Sequence, residues 1–267
     1  MYKLLQYCLL LLCSSFLLVA QTTTREKPAT NAPDTGSTAT DQQKDIDPLS
    51  LKVLKAVTDP IRDAKAFSFR TRGMREYLGS NGQIITYFTT SDVTVGRPDK
   101  LRVDFKGRGQ DVQLYYDAGQ TVLYAPGPKL YAVIQSAKTL DGVLEDLEKR
   151  NVYLPAKNLL ASDPYQTLVP DLKTGYVIGK VQMYGKQVHQ LAFTEKDAEY
   201  QLWVTGMPDP RIQGLQVINM ALGHEPRAMI EFSDWNLNPK IQADTFSFKK
   251  PADAKQIDFL QFPKQER

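Results

Sequence analysis

The sequence predicts a mainly β protein built on one antiparallel sheet of about eleven strands, interrupted once by a helical segment. Three observations carry this. Apolar and polar side chains alternate through four successive runs between Arg97 and Ser136. Two longer runs, Ala66–Leu78 and Gln83–Val95, flank Gly79-Ser80-Asn81-Gly82, and an Asn-Gly pair between such runs is a strong hairpin signal. After Ser136 the apolar period lengthens from two residues to three and four, which is the step from strand to helix.

The chain has 267 residues, with 42% hydrophobic and 24% charged, ordinary values for a globular protein. A net charge of +3 without a clustered basic face argues against nucleic acid as a partner. Residues 1–20 stand apart: Lys3 is their one charged side chain, Leu4–Val19 is mostly Leu, and Ala20 follows. This reads as a cleaved secretory signal peptide, since the apolar run is shorter than the roughly 20 residues a membrane span needs. The address is then the periplasm. Both cysteines, Cys8 and Cys13, fall inside this segment, so the mature chain would have neither disulfides nor thiolate chemistry. Leu12 precedes Cys13 where a lipidated cysteine would follow a small residue. Residues 21–46 are rich in Thr, Ala, Asp and Pro, with almost no large apolar side chain, and read as a disordered linker.

The folded part opens with Asp47-Pro48, an N-cap followed by proline at N1. Leu51, Leu54, Val57 and Ile61 then recur at helical spacing, and Pro60 should kink or end that helix. The long hairpin comes next, then the four-strand meander. There Leu101, Val103 and Phe105, then Val112, Leu114 and Tyr116, then Val122 with Tyr124, then Leu130, Ala132 and Ile134 form one apolar set. A period of two puts that set on a single face, and the meander is expected at the centre of the sheet. Gly107, Gly109, Asp117, Gly119 and Pro126-Gly127-Pro128 supply the turns.

Leu140, Val143, Leu144 and Leu147 form the apolar stripe of a helix with Thr139 as its N-cap. Its acidic face, between Asp141 and Glu148, reads as solvated surface. Pro155–Ala161 and Pro164–Val169 look like short helical turns, the second capped by Asp163. Strands resume at Tyr176–Tyr184 and Gln187–Thr194 around Gly185-Lys186, then at Tyr200–Thr205, Arg211–Ala221 and Arg227–Trp235, and a last piece carries Phe246, Phe248 and Pro251. So many consecutive antiparallel strands curl into a closed barrel, a sandwich or a half-barrel. The helical segment must bury its apolar stripe, and the concave face of a curled sheet is the surface on offer.

Signals for chemistry are weak. His189 and His224, the two histidines, do not form a His-x-x-x-His zinc spacing. No Gly-x-Ser-x-Gly elbow and no phosphate-cradling glycine loop occurs, and no pair of carboxylates is singled out for hydrolysis. Catalytic residue, metal and cofactor are therefore all expected to be none. Trp235 reads as core packing at a strand end. Leu101, Val103, Phe105, Leu114, Tyr116, Leu202 and Val204 either line a cavity or fill a dry core, and the period alone does not choose.

Several motifs in order make the chain familiar. They are Arg97-Pro98, Leu114-Tyr115-Tyr116-Asp117, Ser162-Asp163-Pro164-Tyr165, Ser233-Asp234-Trp235-Asn236-Leu237-Asn238-Pro239 and Phe246-Ser247-Phe248-Lys249-Lys250-Pro251. From Asp47 to Leu260 the chain resembles the LolA/LolB-like lipoprotein carrier superfamily, and within it an uncharacterised family of predicted periplasmic proteins. The resemblance implies a curled antiparallel half-barrel over 47–262, with helices of a lid at about 139–170 covering the concave face. It implies that the seven residues just named line an apolar cavity, with Leu101 at its entrance. It also implies that Arg97 latches the lid, which Leu140, Val143, Leu144 and Leu147 seat. Carriers of this kind place aromatics where this chain has Leu101 and Val103. The expected function is a non-catalytic periplasmic protein sheltering a lipid or acylated chain. The alternative is a periplasmic sensor or interaction module that regulates an inner- or outer-membrane protein partner.

Overall fold

A computed structural model describes residues 45–107, 110–221 and 224–259. The expected signal peptide, both cysteines and nearly all of the expected linker lie outside the described residues. Thirteen strands form one sheet whose two end strands do not pair with each other, so it is open and not a closed barrel.

In chain order the strands are β1 (Asp45–Ile46), β2 (Ala66–Leu78), β3 (Ile84–Gly96), β4 (Lys100–Gly107), β5 (Gln110–Asp117), β6 (Gln120–Ala125), β7 (Leu130–Gln135), β8 (Thr174–Met183), β9 (Lys186–Thr194), β10 (Ala198–Val204), β11 (Ile212–Asn219), β12 (Arg227–Asn236) and β13 (Lys255–Gln256). Their spatial order is β1-β8-β9-β10-β11-β12-β2-β3-β4-β5-β6-β7-β13. Pairing is antiparallel except at the two ends, where β1 joins β8 and β13 joins β7 in parallel. The eleven longer strands are the expected ones. Asp45 and Ile46, assigned to the linker from composition, instead form the edge strand.

Position and facing of the meander depart from expectation. Strands β4–β7 lie toward one end of the sheet, and the long β2–β3 hairpin beside β12 holds the middle. The reason is topological: β12 returns to pair with β2, so the second half of the chain extends the sheet on the other side. Val122 and Tyr124 do not share a face with Leu114. Leu114 pairs with Leu123, and Tyr115 with Val122, which puts Leu123 inside and Val122 outside. Strand β6 is buried on both faces from Thr121 to Ala125, and period two cannot report a strand covered on both sides.

The outer cover comes from the C-terminal segment. Phe248 packs its ring against Tyr115, Tyr124 and Tyr131, with centroids 5.7, 5.2 and 5.2 Å away. Phe246 is buried over Gly96, where a Cβ would come within 3.0 Å of the Phe246 ring. Lys255 N–H donates to the Lys129 carbonyl and Ile257 N–H to Tyr131, which ties β13 to the edge.

Helices lie on the inner face. Helix α1 (Pro48–Asp63) starts at Asp47, whose side chain accepts from Leu49 N–H, and runs through Pro60 to Asp63. Its Leu54, Val57 and Ile61 are buried. Helix α2 (Leu140–Lys149) is capped by Thr139, which accepts from Gly142 N–H, and buries Leu140, Val143, Leu144 and Leu147. The short α3 (Lys157–Leu160) and α4 (Pro164–Leu168) lead into a 3₁₀ turn at Val169–Asp171, and Asp163 caps α4 by accepting from Gln166 N–H. No helix among the described residues is long and apolar enough to cross a membrane.

Replacing Phe248 by Ala removes the ring that joins three tyrosines to the C-terminal segment. Because Phe248 is half-buried, the loss should fall below that of a fully buried Phe→Ala, at about 2 kcal/mol in urea unfolding, with faster amide exchange at Lys255 and Ile257. Unchanged stability and exchange would show that the segment is not held there.

Candidate functional site

The inner face is filled over the meander and hollow further along. Leu101, Val103, Leu114, Tyr116 and Val204 are each at most 3% exposed, in one core with the four apolar residues of α2. Half-buried Phe105 packs against that core. The seven residues expected to line a cavity therefore separate: Leu202 alone is on the wall of the cavity described next, and the others belong to filled core. The physical reason is α2, whose stripe plugs the meander's inner face, and Tyr116 seals the join by donating its hydroxyl to the Ala137 carbonyl at 2.9 Å.

A cavity of about 550 Å³ lies between β9–β12, β2 and the 153–172 segment. Phe193, Leu202, Ile212, Leu215, Val217, Ala228 and Ile230 form its sheet wall. Leu54 of α1 and Leu154, Leu159, Leu168 and Leu172 form its roof. These wall residues follow from strand parity: Leu215 pairs with Ile230 and Val217 with Ala228, so each pair faces the same side. Leu78 and Ile84, 44% and 48% exposed at the end of the β2–β3 hairpin, mark where the cavity meets solvent, and His224 and Pro226 stand at the same opening.

Three polar features adjoin the hollow. Arg75 lies on the inner face of β2, its guanidinium carbon 4.2 Å from the Tyr153 ring centroid and 5.2 Å from that of Tyr77. Burial pushes the Tyr153 hydroxyl above its ordinary pKa, opposed by Arg75. Tyr200, on the wall, donates to Glu195 Oε2 at 2.9 Å. Burial also raises the Glu195 carboxyl, the Tyr200 bond pulls the other way, and Asp171 adds repulsion.

Arg97 sits where three pieces of chain meet. Its Nη2 donates to the Ala161 carbonyl just past α3 at 2.7 Å and reaches the Ile61 carbonyl in the last turn of α1 at 3.4 Å. The guanidinium carbon is 5.4 Å from the Phe67 ring. Its Nε is buried and without a hydrogen-bond partner among the described residues. Burial lowers the Arg97 pKa, and Asp141 and Asp163 oppose that. The next residue continues the strap, since the Pro98 carbonyl accepts from Leu140 N–H at 3.2 Å.

The acidic face of α2 is solvated as expected at Glu145 and Glu148, while half-buried Asp141 and Asp146 also bond neighbouring segments. Asp141 accepts from Ser162 N–H at 2.7 Å and from its hydroxyl, Asp146 accepts from Ala137 N–H at 2.8 Å, and Glu148 pairs with Lys157 at 2.6 Å. The carboxylates fasten α2 to the segments beside it. Trp235 is packed in the core as expected, 4.7 Å from Phe69, with Nε1 donating to the Ile212 carbonyl. His189 sits in β9 opposite Val204, apart from His224 at the opening. No group of three or more His, Cys, Asp or Glu that could hold a metal ion occurs among the described residues.

Arg75, Tyr77 and Tyr153 were not singled out by sequence reasoning. A signal existed for two of them. Arg75 and Tyr77 continue the odd-numbered series of Phe67, Phe69 and Thr71, so β2 turns its most polar inner residue toward the hollow. Tyr153 lies in a segment without periodicity and carried none.

Residues 50–260 match the family described as "Predicted periplasmic protein (DUF2092)", in accord with the resemblance read from the motifs. No curated protein matches the chain. Among solved structures, an uncharacterized conserved protein from Thermus thermophilus is 10% identical, with 78% of this chain and 98% of that one covered and a TM-score of 0.44. The lipoprotein LppX of Mycobacterium tuberculosis is 12% identical, with coverages of 73% and 100% and a TM-score of 0.42. A LolA superfamily protein from Nitrosomonas europaea is 12% identical, with coverages of 74% and 97% and a TM-score of 0.36.

Two expected outcomes come from this geometry. Arg97→Leu should speed amide exchange across residues 157–171 by about tenfold while the sheet's protection holds, since a hydrogen bond to a charged group contributes roughly 1.5–3 kcal/mol. Equal exchange in both proteins would remove Arg97 as the tie. For Glu195 the sign is the reverse of a paired carboxylate's. A raised native pKa means the folded state holds the proton more tightly, so its contribution is full below the ordinary value of 4.5 and is lost as pH rises through the native value. Glu195→Gln should flatten that fall in melting temperature above pH 4.5, and an identical pH profile in the variant would assign the slope elsewhere.

Proposed function

The chain belongs to the predicted periplasmic protein family DUF2092, and from that premise we propose that it is a non-catalytic periplasmic binding protein that shelters an acyl chain in the cavity under its 153–172 segment. The observation that carries this reading is the hollow itself: about 550 Å³, with leucine, isoleucine, valine and phenylalanine on wall and roof. Ligand pockets run from about 300 to 1,000 Å³. Burying each CH₂ is worth roughly 0.8 kcal/mol, so an acyl chain of about 16 carbons could gain on the order of 10 kcal/mol before the costs of association. Binding of that kind asks for greasy walls and an entrance and needs no reacting group.

The entrance in this reading is the hairpin end at Leu78 and Ile84, and the cover is the chain from Tyr153 to Leu172. Arg97 and the Asp141–Ser162 pair hold that cover at its far side. Beside these hydrogen bonds the cover is seated by apolar contact, with Leu154, Leu159, Leu160 and Leu172 buried in the main core. In this reading the cover lifts over the hollow while α1 and α2 stay seated, an entering acyl chain replacing the apolar contacts the cover gives up. Arg97 acts as a latch in this scheme, and the four leucine and valine residues of α2 act as its fixed base.

The test is protein purified from the periplasm, examined by native mass spectrometry and lipid extraction. It should carry an acyl ligand near one equivalent. Ala228→Trp, which puts an indole into the hollow, should carry none while melting at a similar temperature. Wild-type protein that holds no acyl ligand and takes up no palmitate in titration would overturn the reading.

A further inference from the structure

We propose that the ligand is an anionic amphiphile and that Arg75 holds its head group at the cavity opening. The inference rests on the cavity being a ligand site and adds the chemical class of the ligand. It begins from an asymmetry among the sheet's arginines. Arg70 pairs with Asp92, Arg72 with Glu231 and Arg102 with Asp104, at 2.7, 2.6 and 3.0 Å. Arg75 has no ion pair or hydrogen bond among the described residues, although it alone of these four lines the cavity.

Two rings pack against the guanidinium, Tyr153 from the cover and Tyr77 from its own strand. Rings over the face of a guanidinium leave its edge N–H groups unused, and those donors form the fork that matches a carboxylate or a phosphate. Across the sheet Arg75 pairs in register with Ala228 on one side and Tyr87 on the other, so neither neighbour brings a countercharge and Ala228 leaves room. The carboxylate next in sequence, Glu76, is also on the cavity lining but does not bond Arg75: its Oε2 accepts from Arg227 N–H at 3.0 Å. Lys157, the other cation on the cover, is neutralised by Glu148. Two cations of this wall, Arg75 and Arg227, make no side-chain ion pair or hydrogen bond among the described residues; Arg227 is exposed at the rim, and Arg75 is the half-buried one, three residues from exposed Leu78.

That placement fits one kind of guest. A tail lies along Leu202, Leu215 and Ile230, and a negative head group stops at Arg75 near solvent. A carboxylate and a phosphate present the same chemistry to the fork, so the experiment must separate them. Binding of palmitate and of uncharged hexadecanol, and of lysophosphatidate and of monoacylglycerol with the same chain, is measured by calorimetry on the purified protein, wild type, Arg75→Met and Arg75→Lys.

In the wild type at least one charged member should bind roughly 10- to 100-fold more tightly than its uncharged twin, the span expected for one charge-assisted hydrogen-bonded pair. Preference within the first pair assigns a carboxylate, and preference within the second a phosphate. Arg75→Met should erase the preference and leave the uncharged ligands unchanged, and Arg75→Lys should keep part of it. Equal binding of charged and uncharged members in the wild type, or equal weakening of all four in Arg75→Met, overturns the assignment while the acyl-binding reading stands. Failure of all four to bind overturns both. Should Arg75→Met not fold, the wild-type preference and Arg75→Lys decide the matter.

Discussion

A thirteen-strand open sheet has more apolar inner face than two helices can cover, and that shortfall governs the rest of the molecule. Exposed apolar face must be buried, at roughly 25 cal/mol per Å². Helix α2 with its four apolar residues covers the meander, and α1 lies against β8 and α4 and buries Leu54, Val57 and Ile61. Over β9–β12 the chain supplies Leu54 at the side of α1 and otherwise only the 153–172 segment with the short α3, α4 and a 3₁₀ turn. Such pieces bridge the sheet without filling the space beneath, and about 550 Å³ remains. The hollow follows from unequal cover, and no wall residue is unusual in itself.

This explains which parts were legible in the sequence. Strands and caps were: Asp47, Thr139 and Asp163 each accept from the backbone N–H groups their positions imply, and eleven strands fall where alternation put them. Local periodicity encodes local structure. Which patch of inner face stays uncovered is a long-range matter. Leu101 and Leu202 look alike in an alternating strand, yet one lies under α2 and the other under a gap. The same holds outside the sheet. Nothing in the alternation of Val122 and Tyr124 announces that Phe248, more than a hundred residues later, will cover their side and turn them away from the interior. The acids of α2 were legible only in part for a related reason: Glu145 and Glu148 are solvated as such a face implies, and nothing local tells that the N–H groups of Ala137 and Ser162 satisfy Asp146 and Asp141.

Burying a guanidinium is costly, and Arg97 shows how the fold tolerates it. One of its terminal nitrogens serves two carbonyls from different helical pieces, a phenylalanine ring lies alongside, and two carboxylates at a distance favour its charge. The carbonyls near a helix end need donors in any case. A leucine in that place would pack equally well and leave those oxygens unmet. The arrangement therefore specifies where α1 and α3 lie relative to the loop before β4, with a directionality that apolar contact lacks.

Arg75 and Arg97 border the same apolar interior and are resolved in opposite ways. Arg97 is half-buried, and one of its terminal nitrogens donates to the chain's own carbonyls. Arg75 is half-buried at the edge of the hollow, and the chain offers it only rings. Stacking removes water from a guanidinium's faces without neutralising it, so the charge persists beside a low-polarity space. Electrostatic attraction strengthens as the surroundings become less polar. A cation without a countercharge there is therefore a poor element of stability, and in the proposed role it serves selection instead. Acyl burial alone cannot tell one tail from another of equal length, because it scales with area. Discrimination in a greasy hollow has to come from the few polar groups at its border, and in this fold Arg75, Glu76, Tyr77, Tyr153, His224 and Arg227 all lie there, with Arg75 the half-buried cation among them.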